Sequence, residues 1–194
     1  MRINIAIMVF DDVEVLDFAG PFEVFAVADE LRGYKDFNVF TVAPRPGKIR
    51  ARNGLGVVPD HDFASCPKVD ILVVPGGFGT RALLKDSVTM AWIQERARVA
   101  AVTMSVCTGA LLLAKAGLLG GLRVTTHHEL LEMLRDMEPT AVVDPGARFH
   151  DNGAVVTAAG ISAGIDASLH LVGRLLGPDA ASATARYMEY GSGS

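Results

Sequence analysis

Apolar residues cluster in short unbroken runs: INIAIMVF at 3–10, FNVFTVA at 37–43, DILVVP at 70–75 and VAAVTMSV at 99–106. Runs of this length without alternation are what strands buried on both faces show. Between them the spacing turns helical. PFEVFAVADELR carries a 3.6-residue apolar period, with Pro21 placed for a first helical turn. Further helices are predicted at about 87–98, 108–117 (closed by Gly117), 127–137, 162–176 and 178–188. RVTT at 123–126, 140–143 and 147–157 read as strands, with Asp151-Asn152-Gly153 as a tight hairpin turn. The segment 44–56, rich in Pro, Gly and Arg, reads as an irregular connection or a short hairpin.

Strands alternate with helices along most of the chain. That pattern predicts an α/β sandwich, a mainly parallel central sheet with helices on both faces. In such sheets ligands bind outside the carboxyl ends of the strands. The residues there are Asp11 to Asp17, Gly76-Gly77, Cys107-Thr108, His127-His128 and Gly160 to Ser162. The 194 residues contain no repeat and no linker, so residues 1–190 are expected to form one domain, with 191–194 a flexible tail.

Composition narrows the function. Half the residues are hydrophobic, 21% are charged, and the net charge is −4 with no basic block, which disfavours a nucleic-acid partner. No apolar run reaches the ~18 residues of a membrane span. The amino-terminal apolar stretch is short and is followed by Asp11, Asp12 and Glu14, where a leader would carry small residues. It is read as a first strand, and the protein as cytoplasmic. Two cysteines, without CxxC, HExxH or a zinc-spaced Cys/His set, imply neither a disulfide framework nor a metal. No cofactor is expected.

Cys107 stands where the run 99–106 ends and a helical run begins. A side chain on such a tight strand-to-helix turn projects above the sheet, as the nucleophile of a hydrolase elbow does. Unpaired N–H groups of a helix start also favour a thiolate. The other reading is a small buried thiol. Gly109 favours a site, because it lets another backbone approach closely. Cys66, in HDFASCPKVD, leads into a strand with no helix behind it and reads as an incidental thiol. Gly76-Gly77 either presents backbone donors to an oxyanion together with the Thr108 N–H, or is a plain turn. Thr108 offers a hydroxyl beside the thiol, or opens the helix. Asp166 and His170, four residues apart, read as a local helical pair.

The segment MSVCTGALLLAKAGLLGGLRVTTHHELLEML strongly resembles the ThiJ/PfpI superfamily of class I glutamine-amidotransferase-like proteins. FDDVEVLDFAGPFEVF, VDILVVPGGFGTRALL and TAAGISAGIDASLHLV resemble it too, in the same order, over nearly the whole chain. The resemblance implies a flavodoxin-like fold with a nucleophile elbow. LDFAGPFEVF and SVCTG look most like the isocyanide hydratases, and also like the amidase-like domains of AraC-type regulators. Those regulators continue into a helix-turn-helix region, for which a chain ending at 194 leaves no room.

The hydratase resemblance implies cofactor-free conversion of an isonitrile, a small molecule, to an N-substituted formamide. Cys107 is then the nucleophile, Asp17 the acid beside it, and Thr108 a water-placing group. Asp17 otherwise caps the following helix; Glu14 and Asp12 are competing acids. Gly76 and Gly77 match the superfamily's oxyanion glycines, and Ile161 and Ser162 line the pocket. His127 forms a dyad with the cysteine in the wider superfamily, while here it reads as a supporting group. The resemblance further implies a homodimer. The other functions in view are a ligand sensor without turnover and a glyoxalase-, amidase- or protease-like enzyme.

Overall fold

The computed structural model describes residues 2–191; residues 192–194 of the expected tail lie outside the described residues. In chain order the elements are β1 (Ile3–Met8), α1 (Val15–Glu30), β2 (Phe37–Ala43), β3 (Ile49–Arg50), β4 (Gly56–Val57), β5 (His61–Asp62) and β6 (Ile71–Val74). They continue with α2 (Thr80–Leu83), α3 (Ser87–Val99), β7 (Val102–Val106), α4 (Gly109–Lys115), β8 (Arg123–Val124), α5 (Leu131–Met137) and β9 (Val142–Val143). β10 (Phe149–Asp151), β11 (Val155–Ala158), α6 (Ala163–Leu176) and α7 (Pro178–Tyr187) complete the described chain.

The main sheet runs β10-β11-β7-β6-β1-β2-β5. All its pairings are parallel except β10 with β11, the hairpin whose turn holds Asn152 and Gly153. Ile5 lies between Val39 and Ile71 in register, and Val73 pairs with Met104. β6 and β7 are buried at every position, which is why their sequences show unbroken runs and no alternation. Helices α1, α6 and α7 pack on one another, as do α2 to α5, and the two groups sandwich the sheet. One apolar core extends from β1 to α6. Among the described residues no helix is long and apolar enough to cross a membrane.

Successive strands are added to opposite sides of β1, first β2 and then β6. A crevice therefore opens at the carboxyl ends of β1 and β6, the switch point where α/β sheets hold ligands. Three local results differ from the sequence reading. Helix α1 begins at Val15, so Pro21 is interior and cannot donate to the Asp17 carbonyl four residues earlier. The helix expected from 127 starts as a 3-10 turn at 128–130 and becomes α-helical at Leu131. Asp166 and His170 do not pair: Asp166 takes Arg148 and the Tyr190 hydroxyl, while His170 Nε2 meets Asp151 Oδ2 at 2.7 Å. Segment 44–56 is a short hairpin, β3 against β4, with a 3-10 turn at its tip.

Candidate active site

Cys107 is the residue between β7 and α4, and its backbone sits at φ 56°. That left-handed conformation is strained for a side chain and recurs at functional turns. It is held by its surroundings. The Cys107 N–H donates to the Ala159 carbonyl at 2.9 Å, and the Thr126 hydroxyl donates to the Cys107 carbonyl at 2.7 Å. At Gly109 a Cβ would run into the Val74 carbonyl oxygen, so α4 starts hard against the end of β6. The close approach expected of this glycine is present.

Asp17 lies in the first turn of α1 and is fully buried. It does not cap the helix. Its Oδ2 accepts the Gly76 N–H at 3.0 Å, and its carboxyl interacts with the Cys107 thiol. Among the described residues Oδ1 makes no hydrogen bond. Burial above all pushes the Asp17 carboxyl up to about 7, against the Gly76 hydrogen bond; the Glu14 charge adds to the rise. Burial and the neighbouring Asp17 charge push the Cys107 thiol up to about 12, against the N–H groups of Thr108 and Ile161. The low thiol value expected from the helix start alone is therefore overridden while Asp17 is ionised. The two groups act as a coupled acid pair: from about 7 to about 12 they hold one proton between them. With that proton on the carboxyl, the sulfur is a thiolate held by two backbone donors.

The glycines serve the pair differently from the oxyanion role expected of them. The Gly76 N–H is engaged by Asp17, and the Gly77 N–H donates to Thr108 Oγ1 at 2.9 Å. A Cβ on Gly76 would stand 2.5 Å from the Thr108 nitrogen and 2.9 Å from Asp17 Oδ2. This turn thus welds Asp17 to the elbow. The Thr108 hydroxyl lies beside Cys107, fixed between the Gly77 peptide and Thr80. Ile161, at φ 49°, brings its N–H to the sulfur and its side chain to the pocket wall.

His127 lines the same pocket, with its ring against Gly160. Its Nδ1 accepts the Glu129 N–H at 3.3 Å. The side chain that acts on the Cys107 thiol is that of Asp17.

The pocket is a cavity of about 160 Å³ lined by Cys107, Thr108, Gly77, Ile161, His127 and Leu130, with Glu14, Glu129, Arg52, Phe78 and Arg81 at its sides. Arg52, Phe78, Arg81, Glu129 and Leu130 were not singled out from the sequence. Phe78 and Arg81 follow the glycine pair in GGFGTR, and Arg52 comes from the Arg-rich hairpin segment. A larger cavity of about 470 Å³ opens between Pro44–Ile49 and Gly79–Asp86, but its lining holds no thiol, hydroxyl or imidazole. The smaller cavity, which holds the thiol, is therefore the candidate site. Cys66 is half-buried, its thiol turned to the Pro67 carbonyl. Among the described residues no three His, Cys, Asp or Glu side chains gather as a cation set.

Comparison with known proteins finds relatives that match most of the chain. Residues 3–174 match the DJ-1/PfpI family. The chain is 35% identical over 190 residues to an isonitrile hydratase of Pseudomonas putida, covering 98% of this chain and 79% of that protein. It is 29% identical over 188 residues to the HTH-type transcriptional regulator GbdR of Pseudomonas aeruginosa, and spans half of that protein's length. In three dimensions it is similar to a ThiJ/PfpI family protein from Pseudomonas syringae, with TM-score 0.88 and 30% identity over 98% of this chain and 76% of that one.

Proposed function

The chain belongs to the DJ-1/PfpI family, and from that premise we propose that it is a cysteine-dependent isonitrile hydratase, converting an isonitrile and water to an N-substituted formamide. The observation that carries this reading is the buried Asp17 carboxyl, raised to about 7 and set against the Cys107 thiol. Similarity to an isonitrile hydratase over 98% of the chain supports it. The Cys107 thiolate attacks the terminal isonitrile carbon and forms the C–S bond. Asp17 gives its proton to that same carbon, leaving a thioimidate, R–N=CH–S–Cys107. Water then adds to the thioimidate carbon. The Asp17 carboxylate takes one water proton, restoring the acid, and the other water proton passes from the added hydroxyl to the nitrogen as the carbonyl forms. The C–S bond breaks and releases R–NH–CHO with the thiolate restored. The covalent intermediate replaces one difficult hydration by two easier steps. Thr108, with its hydroxyl fixed beside the sulfur, places the water. No cofactor or metal enters the scheme.

In this reading residues 1–190 act as one cytoplasmic domain without a nucleic-acid partner, and the working unit is a homodimer. An apolar groove of Phe18, Ala19, Phe22, Val57 and the 74% exposed Val58 supports the dimer. Sedimentation showing only a 20.5 kDa species would remove that part.

The similarity to a regulator twice as long favours one second reading, a sensor that binds its ligand without turnover. The deciding experiment offers the purified protein an alkyl or aryl isonitrile, and separately methylglyoxal, and follows product by mass spectrometry. Formamide formation that disappears in Cys107→Ala is the expected result. Lactate from methylglyoxal with no formamide would replace the hydratase reading by a glyoxalase one. Saturable isonitrile binding without product would leave the sensor.

A further inference from the structure

The pocket has a cationic side that the hydration chemistry does not use. Arg52 and Arg81 both stand over the ring of Phe78, their guanidinium carbons 5.4 and 4.2 Å from its centroid. All three residues line the cavity that holds Cys107. Among the described residues neither guanidinium makes an ion pair or a side-chain hydrogen bond. Two carboxylates, Glu14 and Glu129, line the same cavity; the charge of Glu14 acts on Asp17, and Glu129 stands 4.0 Å from His127. The cations are also fixed relative to the reacting pair. The Arg52 N–H donates to the Val13 carbonyl at 2.9 Å, and the Gly79 N–H donates to the Asp12 carbonyl at 3.2 Å. Val13 bridges Gly77. The hairpin tip bearing Arg52 and the turn leading to Arg81 are thus both tied to the loop that leads into Asp17.

An isonitrile reacts at its terminal carbon, so its substituent points away from the sulfur toward the cavity sides. A carboxylate on that substituent would meet two forked donors of matching geometry, already oriented by stacking on an aromatic face. Resting on the hydratase reading, we propose that Arg52 and Arg81, held on Phe78, form a carboxylate subsite, and that the preferred substrates are isonitriles with a carboxylate on a short substituent. The cavity of about 160 Å³ keeps that substituent compact. Because the subsite lies away from the reacting carbon, it acts in ground state and transition state alike and is expressed in KM.

The test compares ω-isocyanoalkanoates of increasing chain length with their methyl esters, on wild type, Arg52→Met and Arg81→Met, at low and high salt. The wild type is expected to favour one acid of the series over its ester by about tenfold in kcat/KM, less so at high salt. Each variant should lose about tenfold more on that acid than on its ester, through KM, with unchanged melting temperature. Equal use of acid and ester by the wild type, or equal losses on both in the variants, would overturn the subsite. A calorimetric titration of Cys107→Ala with the same acids and esters separates the two claims. Acid-selective binding abolished by either Arg→Met change, with no turnover of any isonitrile by the wild type, keeps the subsite and rejects the hydratase. Absence of acid-selective binding rejects the subsite whatever the turnover.

Discussion

At Asp17 and Cys107 a single proton serves two acids, and that coupling sets the pH behaviour. Below about 7 the pair carries two protons and the sulfur cannot be a thiolate; from about 7 to about 12 it carries one. In the proposed reaction the one-proton form is the active one. We expect kcat/KM to rise roughly tenfold per pH unit below about 7 and to stay level well into the alkaline range; a profile that is flat across pH 7, or that falls there, would contradict it. Asp17→Asn keeps an acceptor for the Gly76 N–H but supplies no acidic proton. Its turnover should fall ~10²–10⁴-fold with the fold intact. His127→Asn should lose at least about tenfold less, because its Nδ1 is already occupied by the Glu129 N–H. Steady-state turnover of both variants, with thermal melts as control, decides the point. A dead His127→Asn beside an active Asp17→Asn would reinstate the Cys–His dyad.

At the scale of elements, the site is a junction of three chain segments: the start of α1, the turn after β6, and the β7–α4 elbow. The elbow was legible in the sequence, since an apolar run meeting a helical run at a cysteine is a local pattern. The start of α1 was not, because Pro21 reads locally as a first-turn residue while packing of Val15, Asp17 and Phe18 extends the helix six residues upstream of it. The contact between α4 and β6 yields a prediction. Gly109→Ala would place a methyl against the Val74 carbonyl, and α4 would have to move off the sheet. Overpacking of this kind costs about 1–3 kcal/mol. We expect a lower melting temperature together with lost Cys107 function. Full stability in Gly109→Ala would show that α4 can shift freely.

For the whole molecule, a buried acid with a raised value is a liability to stability. The Asp17 carboxyl ionises at an ordinary 3.8 when exposed and at about 7 when folded. Between those values the folded chain holds the extra proton, so stability present below pH ~4 is lost as pH rises through 7. Asp17→Asn has no such proton. It should match the wild type near pH 4 and exceed it near pH 8 by up to about 4 kcal/mol, or ~8–16 °C in melting temperature. Paired melts at the two pH values test this, and an equal difference at both would show that ionisation of Asp17 is not its source. Gained stability with lost turnover is the expected trade at a functional group.

The sequence by itself determined the strand and helix runs, their alternation, the parallel sheet they imply and the cysteine at the end of β7. These follow from periodicity and chain neighbours, which are local. The tertiary structure alone decided which donors meet which acceptors. Gly76 and Asp17 are 59 residues apart, and Gly77 and Thr108 are 31 apart. Their hydrogen bonds turned a glycine pair expected to bind an oxyanion into the brace of an acid–thiol pair. Asp166 and His170 likewise found distant partners in place of each other. Arg52 and Arg81 reach one cavity only because the β3–β4 hairpin and α2 both fold back on the loop after β1. Periodicity places a residue on a face; only the packing of separate segments brings a partner within hydrogen-bond distance.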